Sequence, residues 1–131
     1  MSAGLLDTSA LIAAESERPL DVAAMPDQVF LSVVTIAELH AGVLAAADVE
    51  TRARRLMTLE SIAMLEPLGA DVAAAMHWAA LRVRLAESGH RMNVNDLWIA
   101  AIAMANNLPV VTQDDDFDAL IGVRGFEVIT V

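Results

Sequence analysis

In AGLLDTSALI, residues 3–12, an uninterrupted small and apolar run ends on an aspartate, and a helical pattern starts immediately behind it. AGLL (3–6) has the continuity of a strand buried on both faces. Thr8 or Ser9 can cap a helix running through about Glu15, with Leu11 and Ile12 among its apolar positions. Strand, acid, helix is the opening unit of an α/β fold, in which helices pack over a parallel sheet.

The alternation continues along the chain. Pro19 and Pro26 bracket a loop, QVFLSVV (28–34) reads as a second buried strand, and TIAELHAGVLAA (35–46) switches to helical spacing. Asp48 can cap a helix containing Arg52, Arg54, Arg55, Leu56, Leu59 and Ile62, which Pro67 and Gly69 end near a short strand expected at Ala63–Leu65. Asp71 to Ser88 forms a long helix closed by Gly89; NDLWIAAIAMANN (95–107) forms another, capped by Asn93 or Asn95, with Asn107 near its C-terminus. LPVVT (108–112) is a strand, DFDALIG (116–122) a short helix and FEVITV (126–131) a last strand. With no repeat, low-complexity run or linker, residues 1–131 are expected to be a single α/β domain: a central parallel sheet with helices on both faces. Ligands of such sheets bind beyond the carboxyl ends of the strands, where strand order reverses.

Composition narrows the possibilities. The chain is 56% hydrophobic but only 4% aromatic, and the excess of Ala, Val, Leu and Ile suits close helix packing and a subunit interface. Its longest apolar run, LWIAAIAMA (97–105), is about half of the roughly 18–20 residues a membrane span needs, so no membrane association is expected. Asp7 interrupts the N-terminal apolar stretch and no basic leader precedes it, which argues against a signal peptide. Without cysteine there is neither a disulfide framework nor a thiolate zinc site, and cytoplasmic residence is the expectation. A net charge of −10 repels nucleic acid, so an anionic substrate must be attracted locally. All eight basic residues are arginines; chemistry that needs a lysine, such as a Schiff base or a Walker loop, is excluded.

The carboxylates carry the chemistry. In VVTQDDDF (110–117), three adjacent aspartates repel one another unless a cation compensates them. A tight turn can aim at most two at a common point, and Asp114 and Asp116 are the natural pair, with Thr112 able to hydrogen-bond a neighbouring carboxylate. Asp7 is either a helix N-cap or, if Thr8 or Ser9 caps, free for chemistry. Glu38 has Ala41, Gly42 and Ala45 at helical spacing, a small-residue face that admits another backbone or an ion, although a solvated glutamate would also sit there. Asp96 lies in a first helical turn, where the helix dipole favours an acid whatever its function. Taken together, these acids, with no Cys or His among them, suit a hard cation, Mg²⁺ or Mn²⁺. Such an ion polarises phosphoryl oxygens and activates water, so the expected reaction class is metal-assisted phosphodiester hydrolysis. His40, His77 and His90 share no metal-ligand spacing. Trp78, Trp98, Met76, Met92 and Met104 are expected to fill core or interface rather than bind a base, and Arg82, Arg84 and Arg91 to lie on a solvated helix face, with phosphate contact as the alternative.

The ordered set LLDTSALI, SVVTIAELHAGV and NVNDLWIAAIAMANNLPVVTQDDDF resembles the PIN-domain family, specifically its VapC-type toxins, over nearly the whole chain. The resemblance implies a PIN-like three-layer α/β fold with an acidic pocket. It implies Asp7, Glu38, Asp96 and Asp114 as catalytic and metal-binding acids, Asp116 as a further metal ligand, and Thr8 or Ser9 with Thr112 as hydroxyl support; the extra Asp115 leaves open which acids of the cluster face the ion. It further implies a Mg²⁺- or Mn²⁺-dependent endoribonuclease, usually dimeric, acting on RNA as the toxin of a type II toxin–antitoxin pair. A VapB-like, DNA-binding antitoxin would inhibit it, and a partner arginine could take the metal's place. The rival within the fold is a catalytically silent PIN-like binding module; a phosphoryl-receiver domain would need the lysine this chain lacks.

Overall fold

A computed structural model of the chain describes residues 1–13 and 15–131. Four strands, β1 (Ala3–Leu6), β2 (Gln28–Phe30), β3 (Val110–Thr112) and β4 (Val128–Thr130), pair in parallel in the order β2-β1-β3-β4. Five α-helices accompany them: α1 (Thr8–Ile12), α2 (Val33–Ala45), α3 (Val49–Ser61), α4 (Val72–Ser88) and α5 (Val94–Ala105).

Strand alternation builds the layers. Leu5 pairs with Val110 and Leu6 with Val111, so each successive register step turns one pair to either face. Leu5 and Val110 join a core with Leu81 and Leu85 of α4, Leu97 to Ala103 of α5, and Phe117, Leu120 and Phe126. Leu6 and Val111 join a separate core with Ala10 of α1, Leu39 of α2 and Ile62 at the end of α3. The sheet is therefore sandwiched, α4 and α5 against one face and α1 to α3 against the other. β1 lies tight against β3: a Cβ at Gly4 would stand 2.5 Å from Val111 Cγ2.

The helix ends carry the expected signals. Asp48 and Asp71 accept the amide N–H groups of Thr51 and Ala74 at 2.8 and 2.9 Å, and Gly89 closes α4 at φ +72°. Asn93 caps α5, accepting from the Asn95 amide at 2.8 Å, and Asn107 follows it in the left-handed region at φ +55°.

Several sequence expectations change. The second strand stops at Phe30, because Ser32 Oγ accepts the Thr35 amide and starts α2 at Val33, two residues before the predicted boundary. No strand forms at Ala63–Leu65; instead Leu68 donates to Leu31 O at 2.8 Å and accepts from the Val33 amide at 2.9 Å, a lone bridge beside β2. α1 ends at Ile12, and the short helix after the aspartates is a 3-10 turn at Asp118–Leu120. Among the described residues no helix is long and apolar enough to cross a membrane.

Chain order puts the switch point between β1 and β3: from β1 the chain steps outward to β2, and later returns to β1's other side to form β3 and then β4. The crevice beyond the carboxyl ends of β1 and β3 is where Asp7 and Asp114 emerge.

Candidate active site

The crevice is a cleft of about 280 Å³ lined by Asp7, Thr8, Ser9, Ile12, Glu38, Asn93, Asp96, Asp114 and Asp116. Four separate parts of the chain supply its acids: the β1–α1 junction, the second turn of α2, the first turn of α5 and the turn after β3. Asp115 is not on this lining; its carbonyl instead accepts the Asp118 amide in the turn. The alternation of side chains in a tight turn separates it from Asp114 and Asp116.

Asp7 occupies the N-cap position of α1, yet its side chain makes no capping hydrogen bond. Buried to 4% exposure, its Oδ2 accepts from Ser9 Oγ at 2.7 Å and from Thr112 Oγ1 at 2.9 Å. Each hydroxyl spends its only hydrogen on Asp7, so their 3.0 Å mutual approach is a contact, not a third hydrogen bond. Each in turn accepts a backbone amide, Ser9 Oγ from Gln113 at 3.0 Å and Thr112 Oγ1 from Asp114 at 3.1 Å. Consecutive amides of the aspartate turn thus polarise the two hydroxyls that hold Asp7.

Glu38 is held similarly. Thr8 Oγ1 donates to its Oε1 at 2.7 Å and lies 3.1 Å from the buried Thr35 Oγ1. Thr8 and Ser9 therefore support different acids. On the small-residue face of α2, Gly42 meets α3, whose Arg55 guanidinium donates to its carbonyl, while Ala41 and Ala45 stay exposed. Past Thr8, Ile12 and Glu38 the cleft continues toward Gly42 and Arg55.

No hydrogen-bond donor or cation meets the Asp96 carboxylate among the described residues. Burial, then the charges of Asp7, Asp116, Glu38 and Asp114, push its pKa from 3.8 up to about 7. Desolvation and like charge therefore outweigh the favourable helix N-terminus. Burial and then Asp114, Asp115 and Asp7 also raise Asp116. Among the described residues the cation at the rim is Arg18, 3.6 Å from Asp114 Oδ1. Nothing in the sequence pattern singles out Arg18, which reaches the cleft only because the loop after α1 returns past β3. Asn93 lines the cleft in addition to capping α5, a second role its spacing does not reveal.

The donor set is oxygen throughout, and its negative charge is left mostly uncompensated, which is the chemistry of a hard divalent-cation site. Among the described residues no three of His, Cys, Asp or Glu stand close enough to hold an ion by themselves. The residues fit an ion that keeps several waters and takes one or two carboxylates directly, as Mg²⁺ commonly does.

A PIN domain family model matches residues 4–122. Ribonuclease VapC5 of Mycobacterium tuberculosis is 58% identical over 130 residues, 99% of this chain and 96% of that protein. Ribonuclease VapC4 of the same organism is 42% identical, covering 97% of this chain and 95% of its own. A crystal structure of VapBC-5, a member of the VapBC family of toxin–antitoxin systems from M. tuberculosis, superposes with a TM-score of 0.94 at 56% identity over the whole of both chains.

Proposed function

The chain belongs to the PIN domain family, and on that premise we propose that it is a divalent-metal-dependent endoribonuclease, the toxin of a type II toxin–antitoxin pair. The observation that carries this reading is the convergence of Asp7, Glu38, Asp96, Asp114 and Asp116 on one cleft at the sheet's switch point. The names of the similar proteins, ribonucleases and a toxin–antitoxin complex, supply the substrate and the biological setting.

In this reading Mg²⁺, with Mn²⁺ as a substitute, is held by carboxylates drawn from Asp7, Asp96, Glu38, Asp114 and Asp116. When bound, such a cation supplies Lewis-acid activation of a phosphodiester and of water. The chain's own residues supply position. Ser9 and Thr112 fix the Asp7 carboxylate by two donors to one oxygen, and Thr8 fixes Glu38. Asp96 stays free of hydrogen-bond donors, and its raised pKa is the cost of concentrating negative charge where a cation is to sit. Ile12 and the buried base of the cleft limit water around Asp7.

The partners follow from the family: an RNA substrate, a VapB-like antitoxin that binds DNA and inhibits the toxin, and a second copy of the chain. Val72, Met76 and Val83, exposed apolar residues at helical spacing on α4, support a homodimer. Cytoplasmic action accords with a chain that has no cysteine.

Cleavage of single-stranded RNA with Mg²⁺ present tests the reading. The parent should cut, chelation should stop it, and Asp7→Asn and Asp96→Asn should each lose more than the roughly 10- to 100-fold typical of a group that merely supports a ligand. Metal binding without cleavage of any RNA would favour the silent binding module instead.

A further inference from the structure

A second cavity, of about 550 Å³, lies on the other side of the start of α5 and is lined by arginine and histidine, with no acid. Arg82 of α4 and His90 and Arg91 of the following loop meet there over Trp78. In a chain with 18 acids, eight arginines and a net charge of −10, an acid-free cavity holding two arginines is a departure from the average surface. Neither guanidinium is engaged within the chain among the described residues, a state shared with Arg84 and Arg124, whereas Arg18, Arg52, Arg54 and Arg55 each have an acceptor or a carboxylate. Beside them the Trp78 indole N–H is buried without an acceptor among the described residues, a donor that a ligand in the cavity could satisfy.

Position gives the cavity a role. Val94 and Leu97 line it, while Asn93 and Asp96 line the acidic cleft, so the first turn of α5 is the wall between the two. A nucleic acid strand whose scissile phosphate enters the cleft can carry a neighbouring phosphate past this wall, where two arginines locally offset the chain's net negative charge. We propose that Arg82, His90 and Arg91 form a positioning subsite for a phosphate of the RNA strand flanking the cut. The subsite rests on the ribonuclease reading and deepens it. Arginine suits the task through its planar fork, and Trp78, stacked on Trp98 with ring centroids 5.3 Å apart, lies where occupancy changes its surroundings.

The test uses the full-length protein with Arg82→Ala and Arg91→Ala, and Arg84→Ala as a control from the same helix that does not line the cavity. For single-stranded RNA, each subsite variant should raise KM roughly fivefold with kcat within about twofold, and flatten the salt dependence of affinity by about 0.7 in log–log slope. The control should match the parent. Because Trp78 and Trp98 are the chain's two tryptophans, their fluorescence should respond to a non-cleavable 2′-O-methyl oligonucleotide and respond more weakly in the subsite variants. Parent-like KM and salt slope in both variants would overturn the subsite and leave the ribonuclease reading standing. Loss of self-association with RNA affinity unchanged would overturn it in favour of carboxylates from a second copy. If the parent cleaves no RNA, the ribonuclease reading fails; the oligonucleotide titration still decides the subsite, equal binding by parent and variants overturning it.

Discussion

Thr112 Oγ1 donates to Asp7 Oδ2 at 2.9 Å, joining residues 105 positions apart across the crevice between β1 and β3. The bond exists because those strands are neighbours in register, Leu6 beside Val111, so the residues that follow them emerge side by side. Sheet topology thus converts two sequence-distant strand ends into one carboxylate held by two hydroxyls.

Removing a hydroxyl should weaken both fold and chemistry. Thr112→Val keeps the side-chain shape but leaves the buried Asp7 oxygen with one donor instead of two, which should cost about 1–3 kcal/mol in urea denaturation. RNA cleavage should fall by roughly 10- to 100-fold. Ser9→Ala should behave alike, and the double variant should cost more than the sum because only it strips the buried oxygen of its last donor. Additive losses would mean that the two act independently.

Stability of the metal-free protein should fall as pH rises. Asp96 titrates at about 7 in the fold against 3.8 ordinarily, so between about pH 4 and pH 7 the unfolded chain gives up its proton first. The folded state binds the extra proton in that window, and stability declines through it and levels off above it. Thermal unfolding with chelator should give a higher Tm near about pH 5 than near about pH 8. Asp96→Asn should flatten this dependence and raise the Tm at the higher pH; a lower Tm there would make Asp96 a structural residue of the helix N-terminus.

Gly4 should resist substitution for steric reasons. An alanine Cβ would stand 2.5 Å from Val111 Cγ2 and 3.1 Å from Pro26 Cγ, so the buried Val111 side chain or β1 itself must shift. Gly4→Ala should destabilise by about 1–3 kcal/mol, and Val111→Ala in the same chain should recover part of the loss. A stability equal to the parent's would show that Val111 and β1 can make room at no cost.

Much of this arrangement is legible in the sequence, and what is not has identifiable causes. Strand, acid, helix at residues 3–12 and the VVT strand before the aspartates are local patterns, and the parallel pairing of β1 with β3 brings their acids together. The start of α2 is misread because QVFLSVV is apolar throughout, and an apolar run cannot distinguish strand from helix. The deciding group is Ser32, whose hydroxyl caps the helix. Thr8 and Ser9 are interchangeable in the sequence, yet one helical step turns them to Glu38 and Asp7 respectively. Arg18 reaches the cleft by tertiary approach alone, for which the chain carries no local signal; Arg82 and Arg91 are legible as candidate phosphate contacts, but the cavity they share is not.

The central claim is that acids from four parts of the chain form one cleft that binds a divalent cation, one or two of them directly and the others through its waters. Calorimetric titration of the full-length protein with Mn²⁺ near about neutral pH, beside Asp7→Asn and Asp96→Asn, tests it directly. The parent should bind, with proton release as Asp96 gives up its proton, and each variant should bind at least about tenfold more weakly while keeping the parent's circular dichroism. Equal Mn²⁺ affinity in parent and both variants would contradict the account.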